Sequence, residues 1–432
     1  MRKCFSYLGY WIIVFIVAVN LCGCNGLGSY GPTPENEKDK NAALSVLSGT
    51  SNLDNQNQKQ TGKTKEARKE EDNNSNTPNS KDNKTGNKPS YKPNVVIDDH
   101  AGDYYYNVIS DKDKELYNTL FLAIVNEEEG VKVNTNNTDK ISEVFQFVLL
   151  DHPDIYYVDG FSYRQFLYGE EIDHTEVSAS YTVSNEDRAL YDTRLNSITK
   201  ATIDRIKSLP NDYEKVKAAY EYVITNTEYD LGSTQNQNIL SVFFYGRSVC
   251  QGYAKAFQYL LLKAGVPCSV VVGTVEGGER HAWNLVYADG AYYYVDVTWG
   301  DQSYQEAEII SREKKAKINY DFLMVTDEII GRKHTPDTGA PYPKSTSLED
   351  NYYMKNDAYF TQLDKEKLGR LFEKGYDEKA ETVSLMCSDK NVYNQILAFL
   401  IEDKALFKLV PTTGTQITYA QNDELYVLTV WL

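Results

Sequence analysis

The stretch "SVCQGYAKAFQYLLLKAG", residues 248–265, decides how this chain is read, because it sets a cysteine at the start of an amphipathic segment. Ala254, Phe257, Leu260, Leu261 and Ala264 recur at helical spacing and define one apolar face. Gly265 and Pro267 then end the helix. Cys250 therefore falls at the helix N-terminus, where unpaired backbone N–H groups and the macrodipole favour an anion. A thiol held there is shifted toward the thiolate, which is its reactive form. Cys268 and Cys387 lie in strand-like apolar runs, the usual setting of an inert buried cysteine. Taken alone, Cys250 reads more simply as a packing residue than as a nucleophile.

The stretch "RHAWNLVYADGAYYYVDVTWG", residues 280–300, shifts that balance. Asp289-Gly290 between alternating apolar runs predicts a two-residue hairpin turn of type I′. With those two residues as the loop, Ala288 faces Ala291 and Trp283 faces Asp296. His281, two residues from Trp283, then shares a sheet face with Asp296 on a diagonal within reach of an imidazole–carboxylate hydrogen bond. A structural pair on a sheet is the plainer reading of each residue by itself. A base, its orienting acid and a thiol at a helix tip together supply nucleophile, proton acceptor and tautomer control.

The segments Cys-x-Gly-Tyr-Ala (250–254), His-Ala-Trp-Asn (281–284) and Asp-x-Thr-Trp (296–299) occur in this order. They resemble the motifs of the transglutaminase-like superfamily, which includes transglutaminases, bacterial cysteine peptidases and peptide N-glycanases. The resemblance covers about residues 212–300. It implies an α+β, papain-like core, with a nucleophile helix packed on an antiparallel sheet and flanking α+β regions. It also implies that Cys250 is the nucleophile, His281 the general base and Asp296 its orienter. The backbone N–H of Cys250 is a natural oxyanion donor; a side chain of the 228–241 loop, Gln237 among them, is a candidate second one. Trp283 and Trp299 flank the pair, either as walls of a site or as ordinary packing.

The remaining sequence sets the context. The chain has 432 residues, a formal charge of −17 and 41% hydrophobic content. That charge argues against nucleic acid as a partner. Tyrosine is abundant, with 35 residues; amphipathic strand positions account for it more simply than polysaccharide contact. Arg2 and Lys3, an apolar stretch and "LCGC" have the layout of a secretory leader over residues 1–23. Leu21-Cys22-Gly23-Cys24 resembles the bacterial lipoprotein signal, which implies lipidation of Cys24 and an extracytoplasmic protein anchored to the membrane of a bacterium. Residues 24–93 are dominated by small polar residues and charge and read as a disordered tether. Such a coil spans on the order of 45 Å.

Folded sequence follows as an α+β region over 94–210, the transglutaminase-like core over 211–343, and an accessory α+β domain over 344–432. In the last, helices are expected near 364–374 and 389–403, and strands near 382–387, 406–410, 415–419 and 424–431. The histidines at 100, 152, 174, 281 and 334 are scattered, with no zinc-type or calcium-loop spacing. "DDH" at 98–100 reads as a solvated loop, and Asp151-His152-Pro153 as a helix-ending turn. No cofactor is expected. The expected activity is thiol-dependent acyl transfer on a protein or cell-wall peptide, as a peptidase, deamidase or transglutaminase. The competing reading is a non-catalytic scaffold lipoprotein of the cell surface.

Overall fold

The structure, a computed structural model, describes residues 11–18, 100, 102–301, 318–410 and 417–432, the first of these as backbone alone. Cys24 and the tether expected over 24–93 lie outside the described residues. The fold is α+β. Its N-terminal portion contains α1 (Tyr104–Val108), α2 (Asp111–Asn126), β2 (Val131–Lys132), α3 (Thr138–Asp151), β3 (Val158–Tyr168), β4 (Glu171–Tyr181) and α4 (Asn185–Lys207). Ser110 and Ser184 cap α2 and α4 by accepting from the amides of Asp113 and Asp187. Pro153 stops α3 as its position dictates.

The apolar stretch expected as a leader forms a strand here. Trp11–Ala18, β1, pairs antiparallel with β3 from Trp11↔Leu167 to Ala18↔Gly160. It thereby satisfies the outer N–H and C=O groups of an edge strand. No helix among the described residues is long and apolar enough to cross a membrane.

The portion that positions the site begins with α5 (Asp212–Asn226) and the short parallel pair β5 (Glu228–Tyr229) and β6 (Arg247–Ser248). It continues with α6 (Cys250–Lys263), β7 (Cys268–Val275), β8 (Arg280–Ala288), β9 (Ala291–Val295), α7 (Val297–Gly300), α8 (Asp327–Ile330) and β10 (His334–Pro336). β10, β7, β8 and β9 form one antiparallel sheet in that order. The strand β8 divides its side chains between two cores. Ala282, Val286 and Ala288 join α6 in the main core, together with Cys250, Ala254, Phe257, Leu260 and Leu261. Trp283 and Leu285 face a second core with Phe322, Val325, Tyr353, Met386 and Val427. A helix covers one face of the sheet and later sequence covers the other, which excludes water from both.

The C-terminal portion holds α9 (Tyr352–Lys355), β11 (Tyr359–Phe360), α10 (Lys365–Asp377), β12 (Thr382–Cys387), α11 (Lys390–Leu397), α12 (Leu406–Leu409), β13 (Tyr419–Asn422) and β14 (Val427–Trp431). Its sheet order is β11-β12-β14-β13. The strand expected at 406–410 is a helical turn instead. Leu406 and Val410, four apart, both reach the C-terminal core, a helical rather than an alternating spacing.

Candidate active site

The hairpin register is the one its turn dictates. Asp289 and Gly290 have φ of 47° and 92°, as a type I′ turn requires, and Ala288 pairs with Ala291. The ladder runs to Asn284↔Val295, so Asp296 follows directly on its last rung. His281 Nε2 donates to Asp296 Oδ2 at 2.8 Å. That bond leaves Nδ1 of the ring as the proton-accepting atom.

Asp296 is fully buried and accepts on both oxygens. Its Oδ1 caps α7 by accepting from the Trp299 amide at 3.0 Å. Its Oδ2 accepts a second imidazole N–H, from His334 Nε2 at 2.8 Å. Burial pushes the carboxyl up, but the attraction and hydrogen bonds of His281, followed by those of His334, outweigh it and hold the group well below the usual carboxylate range.

His334 was not singled out in the sequence. It sits at the start of β10, and its Nδ1 lies 3.2 Å from the Ile330 carbonyl. β10 reaches the site by pairing with β7, His334 opposite Val275. Gly273, which faces His281 across the β7–β8 ladder, permits the approach. A Cβ there would lie 2.2 Å from the Thr335 carbonyl oxygen and 2.7 Å from the Trp283 ring.

Cys250 is the first residue of α6 and is fully buried. The helix tip carries no side-chain cap, its N-cap residue being Val249. The motif around the cysteine is explained by what it touches. Gly252 has no room for a Cβ, which would meet Ser248 Oγ at 1.9 Å and the Asn236 carbonyl at 2.9 Å. Tyr253 donates its hydroxyl to Asp301 Oδ2 at 2.8 Å, tying the first turn of α6 to the end of α7. The Ala254 carbonyl accepts from Asn284 Nδ2 at 3.0 Å, tying the second turn to β8. The elements bearing the thiol, the imidazole and the carboxylate are thus joined by buried hydrogen bonds.

Trp283 and Trp299 bracket the imidazole, with centroids 6.2 Å and 5.7 Å from it. Both indole N–H groups are buried without an acceptor, as are the Gln251 amide and the Thr298 hydroxyl. Gln237, weighed as an oxyanion donor, is half-buried in a turn before α6. The other two thiols behave as their strand settings predict. Cys268 and Cys387 are buried and unpaired, and burial pushes both thiols up, Cys387 to about 12.

His281, Asp296 and His334 present ligand atoms within 4.8 Å of one another, as do His100, Asp103 and His152. The hairpin turn gave the His281–Asp296 pair, but sequence spacing showed neither His334 nor the second cluster, because His334 and His152 come from segments far from their partners.

Residues 200–297 match the family model of the transglutaminase-like superfamily. The chain is 25% identical to human (Homo sapiens) kyphoscoliosis peptidase over 188 residues, 39% of this chain and 28% of that one. It is 29% identical to the mouse (Mus musculus) protein over 121 residues, 24% and 18% of the two chains. It therefore spans less than a third of these relatives. Among solved structures, a transglutaminase is similar at 19% identity and a TM-score of 0.23, over 37% of this chain and 50% of the other.

Proposed function

From the premise that residues 200–297 form a transglutaminase-like superfamily core, we propose that the protein is a thiol-dependent acyl-transfer enzyme. The observation that carries this reading is the buried His281–Asp296 pair at 2.8 Å, on a hairpin bonded to the helix that Cys250 begins. In the proposed reaction His281 Nδ1 takes the Cys250 proton. The thiolate attacks a peptide or glutamine carbonyl, and the carbonyl oxygen becomes an oxyanion at the uncapped tip of α6. The imidazolium, steadied by Asp296, gives its proton to the leaving amine and a thioester remains. Water then releases the acid, regenerating the thiol. An amine in place of water gives a cross-link. Hydrolysis is the reading we favour, because water is always present and the sequence holds no evident amine-binding feature.

All three groups are buried in this conformation, so a substrate carbonyl reaches Sγ only after a covering segment moves. The unpartnered donors of Gln251, Trp283, Trp299 and Thr298 are buried polar groups of the kind that substrate binding satisfies. We further propose an extracytoplasmic setting, with residues 1–23, β1 among them, removed and the chain anchored through a lipidated Cys24, acting on a surface protein or wall peptide. Incubation with a glutamine donor, with and without a primary amine, followed by mass spectrometry tests the reading. A mass gain of one dalton, cleavage or an amine adduct, each lost in Cys250→Ala, supports it. No Cys250-dependent product from glutamine and peptide panels favours the scaffold alternative.

A further inference from the structure

Outside the candidate active site, His100, Asp103 and His152 converge where the folded region begins. Asp103 is the N-cap of α1 and His152 the C-cap of α3, so two helix ends bring the three side chains together. His100 Nδ1 lies 2.6 Å from Asp103 Oδ2, and His152 Nε2 lies 3.3 Å from the same oxygen. The three side chains are 10%, 15% and 18% exposed, which is enough for solvent to reach them.

We propose that His100 Nδ1, Asp103 Oδ2 and His152 Nε2 form a binding site for a zinc-type divalent cation. Two imidazoles and one carboxylate match the borderline-soft N/O preference of Zn²⁺ with a water in the fourth position. At metal–ligand distances of about 2.0–2.1 Å, tetrahedral ligand atoms stand roughly 3.3 Å apart. The Asp103–His152 separation already has that value. The His100–Asp103 contact must lengthen by roughly 0.7 Å, and the His100 ring must hold its proton on Nε2 so that Nδ1 offers a lone pair.

The surroundings suit a cation. Asp151, buried beside the cluster, accepts from the amides of Tyr105 and Tyr106 and from the Tyr117 hydroxyl. Among the described residues no lysine or arginine stands within ion-pair distance of Asp103 or Asp151. Asp103 thus faces two imidazoles, and Asp151 only neutral donors. Aromatic rings hold the ligands in place. The His100 ring stacks on Tyr106 at 4.1 Å and Phe121 lies 4.6 Å from the His152 ring, while Tyr117 Oη, 3.0 Å from His152 Nε2, must give its hydrogen bond wholly to Asp151 to free that nitrogen for the ion. An ion there would fasten the loop before α1 to the end of α3.

The test is titration of the untagged, chelator-stripped full chain with Zn²⁺ by calorimetry and with Co²⁺ by visible absorption, with thermal unfolding in parallel. One equivalent is expected to bind, with a Co²⁺ d–d band and a higher Tm. Affinity should fall about 100-fold or more in Asp103→Asn and in His152→Asn, since even outer-shell changes cost 10–100-fold. It should persist in His334→Asn, which breaks the other His–Asp–His cluster. Circular dichroism identifies a variant that fails to fold, and Asp103→Asn, the same size as the native residue, then decides alone. No binding by the parent chain, or binding lost in His334→Asn and kept in Asp103→Asn, overturns the proposal.

Discussion

Two His–Asp–His clusters in one chain hold the same three chemical groups in opposite surroundings. Around Asp296 the groups are 0–3% exposed, fixed by a sheet and two tryptophans. Around Asp103 they are 10–18% exposed, held by two helix ends and open to solvent. The inner carboxylate accepts from three fixed donors, on both oxygens, which suits a group that orients a base and stays ionised. The outer carboxylate shares one oxygen between two imidazoles at unequal distances, which suits a group that can be drawn onto an ion. Burial and access, more than residue identity, separate the two assignments.

Breaking the inner cluster should have the largest effect. Asp296→Asn keeps the shape of the site but loses the charge that fixes the imidazole tautomer. Activity on a glutamine or peptide substrate should fall about 10³-fold or more, read as kcat/KM, with the fold retained by circular dichroism. Unchanged turnover would reduce Asp296 to a helix cap.

The cost of burying charge near the nucleophile can be read separately at Lys255. This residue is 4% exposed, lies on α6, and burial lowers its amine from 10.5 to about 8. The folded state therefore holds fewer protons than the unfolded chain between about pH 8 and 10.5. Stability should rise with pH across that window, and the buried charge should cost the fold on the order of 3 kcal/mol at neutral pH. Lys255→Met should raise the denaturation midpoint and flatten that rise. A destabilised variant would mean that the ammonium has a partner that stabilises it.

His334→Gln sharpens the comparison most finely. Turnover should fall about 10-fold, since the imidazole–carboxylate bond survives with one donor fewer to hold it. The native carboxyl is depressed, so its stabilisation is present above the unfolded value near 3.8 and is lost as pH falls through the folded value. With one histidine removed the folded value should rise, so that loss should be smaller and should finish at a higher pH in acid-unfolding scans. Coincident acid limbs for parent and variant would show that His334 does not hold Asp296.

Much of the inner site was legible because its determinants are local. Asp289-Gly290 fixes the turn, the turn fixes the register, and the register sets His281 beside Asp296. The apolar period of 254–264 likewise fixes the helix that Cys250 begins. His334 was not legible because it arrives through a three-residue strand against β7, too short to carry a periodicity. The outer cluster was hidden because His100 and His152 meet only where the start of α1 and the end of α3 come together. The missed turn at 406–410 shows the remaining ambiguity, since a five-residue stretch with four apolar positions fits a strand and a helical turn equally well.

The central claim is that Cys250 is an activated thiol whose proton His281 accepts. The rate of iodoacetamide labelling, followed residue by residue by mass spectrometry across pH, tests it most directly. The account predicts fast, pH-dependent labelling of Cys250, at least tenfold slower in His281→Ala, with Cys268 and Cys387 slow in both proteins, as their raised thiols require. Equal, slow labelling of all three thiols, unchanged in His281→Ala, would contradict it.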